Sequence, residues 1–290
     1  MLIVALTEGC DAAPEPEPPP PVAVRNPHGI VSLSPEVSRI LLELGVGGEV
    51  VAADAASGDL PGIGDPVDLG ELEDASVARV AELAPDVAIG LADARTRAFA
   101  LKLEALGIRV ILLAPRNANE VDAAVLQIGD LVAREMRARV LAARTVREVS
   151  EIATRRDGRS RLRVAFVIRC DPPTVVGGAG LIHETLELAG AENVFHEPGL
   201  EERTITGSEL AERAPEVVLD ASGADPASPC FDETAWGART ETLPTRLATV
   251  PAMDLVARVR SLYEILYPGE SVIRARRSRR SSADAPTGSS

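Results

Sequence analysis

The sequence predicts an α/β fold of two lobes that face each other, and two segments about half a chain apart carry this prediction. Residues 31–51 read VSLSPEVSRILLELGVGGEVV, and residues 171–195 read DPPTVVGGAGLIHETLELAGAENVF. In each region an apolar strand leads through a turn into a helix, which ends at a glycine before another strand. Two such openings that face each other form an architecture suited to gripping a ligand.

The first lobe begins with a strand at residues 29–34 and a helix that starts at Pro35. Ser34 is a plausible N-cap, and a proline at the first helical position loses no hydrogen bond. Gly45 follows the last periodic apolar residue and marks the end of the helix. Strands and helices then alternate on short connections, which is typical of a parallel sheet covered by helices. Further strands are predicted at 50–53, 86–89 and 109–113, helices near 76–83 and 95–106, and a surface loop at 57–70.

The middle of the chain, residues 119–156, has apolar residues at helical spacing and no strand pattern. About 22 residues from Glu135 would span about 33 Å at 1.5 Å per residue. This helix either connects two lobes or forms a hairpin within one domain. The second lobe then starts with a strand at Arg163. Its other predicted elements are helices at 182–189, 207–213 and 252–266 and a strand at 216–219, whereas residues 221–243 are poorly patterned.

Composition excludes some classes of function. The chain has 290 residues, of which 46% are apolar, enough for two modest domains or one large one. Its formal net charge of −14 argues against nucleic-acid binding, because an acidic surface repels phosphate backbones. The segment from Arg274 to Ser290 carries five arginines and one aspartate. We interpret it as a disordered, solvated tail, the alternative being a contact for nucleic acid or anionic lipid.

Several short motifs together resemble one family of proteins. The S-x-S-P opening at Ser32, Ser34 and Pro35 is similar to that of the helical-backbone (type III) solute-binding proteins of ABC importers. That family serves cobalamin, haem and ferric siderophores. The second segment most resembles the cobalamin-binding branch, and the resemblance covers roughly residues 28–270. The positions that carry it are Pro172, Pro173, Gly177, Gly178, Leu186, Gly190, Asn193 and Phe195.

The resemblance implies an α/β fold of two Rossmann-like lobes with parallel sheets, joined by one long backbone helix. It places the N-terminal lobe at residues 28–134, the bridging helix at 135–158 and the C-terminal lobe at 159–272. Residues 1–27 then form a signal remnant or lipoprotein tether with a proline-rich linker, and residues 273–290 form the tail.

The function implied by the resemblance is the capture of a metal-chelate nutrient, with a corrinoid first and a ferric siderophore or haem next. The expected partners are an ABC permease and its ATPase, and the expected form is a periplasmic or lipid-anchored monomer without a cofactor of its own. A degenerate relative that acts as an envelope interaction protein is the alternative. An enzyme is not expected, because the sequence contains no G-x-S-x-G or S-x-x-K motif or other catalytic set.

Seven residues are predicted to line the ligand cleft: Ser34, Asp54, Asp93, Arg95, Thr174, Gly178 and His183. The glycine run before His183 lacks the third glycine of a dinucleotide-binding loop, so we interpret it as a tight crossing whose amides face the cleft. His183 is either a ligand contact or a hydrogen-bonded surface residue. His28, His183 and His196 are the three histidines and lack the spacing of a metal site. The aromatic walls of cobalamin binders are missing from the corresponding positions.

Two other predictions concern docking and cysteines. Family members dock on the permease through one glutamate in each lobe; here Ala78 occupies the first position, and Glu209 lies next to the second, at Ser208. Cys10 follows a short apolar run and precedes a proline-rich spacer, which indicates a lipidated cysteine, the alternative being an ordinary N-terminus. Cys170 and Cys230 either form a disulfide bond in an oxidising compartment or remain free.

Overall fold

The computed structural model describes residues 27, 29–58, 60–72, 77–154, 160–223, 238–243 and 254–268. Four parts of the chain for which the sequence makes predictions lie outside these ranges. They are the tether with Cys10, His28, the loop with Cys230 and Trp236, and the arginine-rich tail.

The first lobe is built on a parallel sheet, as the alternation of strands and helices predicted. Its elements are β1 Ile30–Ser32, α1 Pro35–Leu44, β2 Val50–Ala53, β3 Val67–Asp68, α2 Val77–Glu82, β4 Val87–Leu91, α3 Ala94–Glu104 and β5 Val110–Leu113, with a 3-10 turn at Gly47–Glu49. The strand order is β3–β2–β1–β4–β5, and each neighbouring pair is parallel. The two-residue β3 was not predicted, because so short a strand in a turn-rich segment shows no alternation.

Helix α1 shows how local sequence sets the boundaries of an element. Pro35 occupies the first helical turn, and Gly45 ends the helix with a φ of 77°, a left-handed conformation that glycine adopts without strain. Ser34 has the extended backbone of an N-cap, yet its side chain makes no capping hydrogen bond. The predicted position of the cap is therefore confirmed, while the Ser34 hydroxyl does not cap the helix.

Two antiparallel helices, α4 at Ala118–Leu131 and α5 at Glu135–Thr154, follow the first sheet. Helix α5 has 20 residues and is about 30 Å long. It packs against α1 and α4 on one side of the molecule, and against α6 (Gly180–Leu188) and α8 (Leu255–Leu266) of the second lobe. Of the two sequence-based alternatives, the structure therefore has the connecting helix between two lobes.

The second lobe contains a six-stranded sheet, and this sheet is mixed. Its remaining elements are β6 Leu162–Cys170, β7 Pro173–Val176, β8 Ala191–Asn193, β9 Glu202–Thr204, α7 Gly207–Arg213, β10 Val217–Asp220 and β11 Arg239–Thr242. The order is β11–β10–β6–β7–β9, and β8 also pairs with β6. Strands β8, β10 and β11 run parallel to the strands they pair with, while β7 is antiparallel to both β6 and β9.

The α/β fold class is confirmed, and the antiparallel β7 is the departure from the expectation of wholly parallel sheets. Only Asp171 and Pro172 separate β6 from β7. A parallel pair needs a crossover of a dozen or more residues, so a two-residue connection permits only an antiparallel neighbour. The sequence contained this information in the spacing, but the proline pair concealed the strand that follows it.

One hydrophobic core runs through both lobes. It contains Ile30 and Ile89 from the first sheet, Phe166 and Leu219 from the second, and the buried face of α5. Two smaller cores cover the opposite faces of the sheets, one around Phe99 in the first lobe and one around Phe195 in the second. Because the large core is continuous, the lobes cannot separate without exposing apolar surface.

Replacing Gly129 with alanine should destabilise the protein, because a Cβ there would lie 2.2 Å from Cβ of Ala138 on α5. Overpacking of this kind lowers stability by about 1–3 kcal/mol, which exceeds the gain of about 1 kcal/mol from replacing a helical glycine. Urea denaturation measures the difference. The matched control is Gly48→Ala, where an added Cβ meets nothing within 4 Å. Equal stabilities for the two variants would contradict the close approach of α4 and α5.

Candidate functional site

The carboxyl-terminal edge of the first sheet gathers four of the predicted cleft residues. Ser34 follows β1, Asp54 follows β2, and Asp93 follows β4, which are neighbouring parallel strands. Arg95 lies in the first turn of α3, directly after Asp93. Adjacent parallel strands end at the same edge, which is where open α/β sheets bind their ligands. The structure therefore brings the first-lobe residues together.

Asp54 is held in place by a chain of buried hydroxyl groups. Its carboxylate accepts hydrogen bonds from the Ser57 hydroxyl and from the Ala56 N–H. The Ser38 Oγ lies 2.8 Å from the Ser57 Oγ and 2.8 Å from the Ser32 Oγ, and all three serines are buried. Burial raises the pKa of Asp54, and the nearby charge of Glu71 raises it further. Ser38 and Ser57 were not predicted as site residues, since isolated hydroxyls carry no motif, and Ser32 was noted only as part of the S-x-S-P opening.

The other two first-lobe candidates already have partners within the lobe. The Asp93 carboxylate caps α3 by accepting from the Thr96 N–H at 2.8 Å and from the Thr96 hydroxyl at 3.1 Å. Arg95 forms an ion pair with Glu71, and both of these side chains are about half or more exposed. A ligand that contacted Asp93 or Arg95 would therefore add to, or replace, existing interactions.

Two buried residues of opposite charge beside this edge were not anticipated, and they act on each other through space without forming an ion pair within 4 Å. Glu36 in the first turn of α1 is 3% exposed, and Arg258 in α8 of the second lobe is 6% exposed. Burial raises the pKa of Glu36 to about 7, and the negative charge of Asp54 contributes to the rise. Burial also lowers the pKa of Arg258 to about 10, while Asp254 and Glu36 act in the opposite direction. The only sequence signal was the position of Glu36 directly after Pro35.

The second-lobe candidates divide into two places. Thr174 pairs with Arg169 at the carboxyl-terminal end of β6, beside Cys170. Its hydroxyl donates to the Pro172 carbonyl at 2.8 Å and lies 3.3 Å from the Arg169 Nη2, and Arg169 also contacts Glu202. The buried Asp220 at the end of β10 accepts hydrogen bonds from Ser222. Thr174 is thus at the sheet edge that corresponds to the first-lobe site.

Gly178 lies away from that edge, because β7 runs back along β6. Its N–H donates to the Glu197 carbonyl, and the N–H groups of Gly177 and Ala179 donate to the Glu201 and Leu200 carbonyls. A Cβ on Gly178 would lie 2.3 Å from the carbonyl oxygen of His196. The expectation that these amides face the cleft is therefore wrong. These amides form hydrogen bonds with the backbone of residues 197–201. Because Gly178 has no Cβ, its backbone can lie close to the backbone at His196.

His183 is placed by a buried asparagine. Its Nδ1 lies 3.4 Å from Nδ2 of Asn193, which donates to the carbonyls of Val176 and Gly177. Asn193 pairs with Val164, toward the amino-terminal end of β6 and so away from Thr174. This environment supports the alternative of a hydrogen-bonded histidine. The neighbouring Glu184 reaches the other lobe, where its carboxylate accepts from the Ala118 N–H at 2.7 Å.

Glu209, the predicted docking residue, has a carboxylate that already accepts hydrogen bonds from groups of its own lobe. It forms a capping box with Thr206 at the start of α7, and its Oε1 accepts from Arg203 at 2.6 Å. These contacts lower the pKa of Glu209, with the Thr206 N–H as the largest cause. Docking on a permease arginine would compete with Arg203. In the first lobe Ala78 is exposed on α2.

Cys170, at the end of β6, is in a disulfide bond. The other two cysteines of the chain, Cys10 and Cys230, lie outside the described residues. In the part of the chain that the structure describes, no three His, Cys, Asp or Glu side chains are grouped so that they could hold a metal ion. No helix within the described ranges is long and apolar enough to cross a bilayer.

The sequence profile of the family described as periplasmic binding protein matches residues 30–253. The chain belongs to this family. Family membership points to an extracytoplasmic solute-binding protein, and the resemblance noted from the sequence is confirmed at the level of the family. No protein of curated function is significantly similar to the chain in sequence.

Solved structures of periplasmic binding proteins share the fold. A possible iron-binding periplasmic solute-binding protein from Staphylococcus epidermidis superposes with a TM-score of 0.74 at 18% identity, covering 83% of this chain and 99% of that one. The periplasmic haem-binding protein HutB of Vibrio cholerae gives 0.67 at 18% identity, with 83% and 99% covered. The vitamin B12-binding protein BtuF of the same organism gives 0.61 at 16% identity, with 83% and 98% covered.

Replacing Glu36 with glutamine should change how stability depends on pH. The unfolded chain releases the Glu36 proton near pH 4.5 and the folded chain near pH 7, so ionisation between these values disfavours the folded state. From pH 4.5 to pH 8 the wild-type protein should lose up to about 3 kcal/mol more stability than Glu36→Gln does. Urea denaturation across this range gives both curves. Parallel curves would mean that Glu36 is not buried as described.

Alkylation should count the cysteines that are free. We expect iodoacetamide to label one cysteine in the denatured, unreduced chain and all three after reduction, because one disulfide uses two of them. In Cys170→Ser, two cysteines should be labelled without reduction, and the free energy of unfolding should fall by about 2–4 kcal/mol. Mass spectrometry of peptides identifies the partner of Cys170. Three labels in the unreduced wild-type chain would contradict the bond.

Proposed function

We propose that this protein is the solute-binding subunit of an ABC importer and captures a metal-chelate nutrient. The observation that carries the proposal is the meeting of two α/β lobes on one continuous core, with Ser34, Asp54, Asp93 and Arg95 gathered at one sheet edge. Preformed lobes of this kind sequester a ligand at the carboxyl-terminal ends of strands and the amino-terminal ends of helices. The proposed mechanism is capture and release, without bond-making chemistry on the ligand.

The charges at the sheet edges favour a corrinoid over the other candidates. At the first-lobe edge the carboxylates of Asp54, Glu71 and Asp93 outnumber the one guanidinium group that the described residues place there, that of Arg95, which contacts Glu71. Haem carries two anionic propionates and ferric catecholates are anionic, so such an edge repels them. A corrin ring carries neutral amides, which donate hydrogen bonds to carboxylates. We therefore place a corrinoid first and a ferric siderophore or haem next.

Aromatic stacking contributes little to the proposed binding. In the described part of the chain, Phe99, Phe166 and Phe195 are buried in the cores rather than at the sheet edges. Hydrogen bonds that the ligand donates to carboxylates would then provide most of the specificity. Trp236, the only tryptophan of the sequence, lies outside the described residues.

The proposed partners are an ABC permease and its ATPase, and the proposed location is the periplasm or the cell envelope. There the protein would act as a monomer, held to the membrane only if Cys10 is lipidated. The alternative is a relative that has lost transport and acts as an envelope interaction protein. It is favoured by two docking positions, namely the exposed Ala78 and the Glu209 carboxylate that already binds Arg203.

Calorimetric titration with cyanocobalamin, dicyanocobinamide, ferrichrome and haemin tests the proposal. We expect a corrinoid to bind with a Kd of about 1 µM or lower and the other two more weakly. Asp54→Asn should weaken corrinoid binding roughly tenfold, because a charged hydrogen-bond acceptor becomes neutral. The control Asp86→Asn lies before β4, at the opposite edge of the same sheet, and should leave the affinity unchanged.

Other outcomes of this titration separate the alternatives. Well-folded protein that binds none of the four compounds would refute capture of a metal chelate and favour the interaction protein. A corrinoid that is chemically altered after incubation with the protein would refute a purely binding function. Equal losses in Asp54→Asn and Asp86→Asn would place the ligand elsewhere.

A further inference from the structure

A large cavity lies between the lobes, apart from the predicted cleft residues. Its volume is about 1070 Å³, and its walls come from α1 and α4 of the first lobe, the connecting helix α5 and α8 of the second lobe. None of the seven residues predicted from the sequence lines it. Pockets for small molecules in proteins typically have volumes of about 300–1000 Å³, so this cavity has the size of a ligand site.

The wall of the cavity is apolar along one stretch. The side chains there are Ile40, Val121, Val125, Leu141, Leu255 and Val256. Helices α1 and α4 supply the first three of these, α5 the fourth and α8 the last two. An apolar molecule that filled this stretch would gain roughly 25 cal/mol for each Å² of its surface removed from water.

The charges around the cavity are mostly paired with one another. Arg144 contacts Glu43 at 3.7 Å and Glu148 at 2.9 Å, and Arg260 contacts Glu148 at 3.0 Å. Arg39 contacts Asp254 at 3.7 Å, across the boundary between the lobes. Arg137, the remaining cationic residue of the wall, donates to the Leu44 carbonyl at 3.0 Å. Four arginines thus face three carboxylates, and the charge of Arg137 is the one that no carboxylate among these groups offsets.

Among the acidic residues of the wall, Glu36 is the one for which the described part of the chain provides no ion pair. It lines the cavity and is 3% exposed, and among the described residues no cationic side chain lies within 4 Å of its carboxylate. Burial raises the pKa of the Glu36 carboxyl group and is the largest effect, while the Glu36 N–H, the Ser34 side chain and the charge of Arg39 each lower it. Burying an ionised carboxylate without a cationic contact lowers the stability of the folded protein, and a bound cation would offset this loss.

We propose that this cavity is a second ligand site, which takes a small organic cation with an apolar body. The ammonium group of the ligand binds the Glu36 carboxylate, and its hydrocarbon part packs against Ile40, Val125 and Leu141. An anion of the same shape binds less well, because it forms no ion pair with Glu36. Since the walls belong to both lobes and to the helix that connects them, the occupant contacts all three parts of the molecule.

The proposal is tested with n-hexylammonium as a probe, compared with hexan-1-ol and hexanoate, which have the same chain and a different head group. Binding to the full-length protein is measured by ligand-observed NMR. We expect hexylammonium to bind at least about tenfold more tightly than either analogue, the size of one charge-assisted hydrogen bond. Equal binding of hexylammonium and hexan-1-ol, or no binding of any probe, would overturn the proposal.

Two single-residue variants test which carboxylate binds the probe. Glu36→Gln keeps the shape of the side chain and should weaken hexylammonium binding at least about tenfold. The matched control, Glu43→Gln, removes a carboxylate of the same cavity that is already paired with Arg144, and binding should change less than about twofold. Circular dichroism and urea denaturation verify that both variants fold. Equal losses in the two would show a non-specific charge effect and overturn the assignment to Glu36.

The same experiment separates this site from the nutrient cleft. Asp54→Asn should not weaken hexylammonium binding, because Asp54 does not line the cavity and the loss of its charge lowers the pKa of Glu36, which favours the carboxylate form. If Asp54→Asn abolishes binding and Glu36→Gln does not, the probe occupies the sheet edge, and the second site is refuted. The result does not depend on whether a corrinoid binds, so failure of the proposed function would leave this test intact.

Discussion

The burial of one apolar face of helix α5 holds the two lobes in a common frame. Ala138, Ala142, Val149 and Ile152 form this face, and all of them except Ala142 belong to a core that also contains side chains from both sheets. The small residues at its amino-terminal end allow α4 to come close. Exposing even about 200 Å² of such apolar surface would cost about 5 kcal/mol, so large movements of the lobes are opposed. The positions of all residues at the two sheet edges depend on this packing.

After the packing of α5, the second feature that defines the candidate site is its concentration of negative charge. Carboxylates follow several strands of the first sheet, and the resulting repulsion is visible in the raised pKa values of Asp54 and Glu36. Burial is the larger cause in both cases. The protein retains these groups although ionisation of Glu36 opposes folding. Ionisable groups with pKa values shifted in this way are typical of functional sites.

Much of the fold could be predicted from the sequence, because periodicity and helix boundaries are local properties. Helix α1 could be bounded from the proline at its start and the glycine after its end, and helix α5 could be predicted from its apolar repeat. The antiparallel β7 was missed, since its direction follows from the two-residue connection and not from its own residues. Gly178 and His183 were assigned to the cleft by their order in the chain. Their actual partners, the segment at residues 197–201 and Asn193, are brought to them by the pairing of β7 and β8 with β6.

Contacts between distant parts of the chain account for the remaining differences. Glu36 and Arg258 are separated by more than two hundred positions and influence each other only because α8 returns to the first lobe. No local pattern predicts such an encounter. The cavity walled by α1, α4, α5 and α8 has the same origin.

The row of buried serine hydroxyls behind Asp54 has an energetic consequence. An aspartate side chain that is free to rotate loses conformational entropy when it binds a ligand. Here Ser57 contacts that carboxylate and is itself held by Ser38, which contacts Ser32, so the loss of freedom occurs during folding. The acceptor is therefore preorganised for any ligand that reaches it.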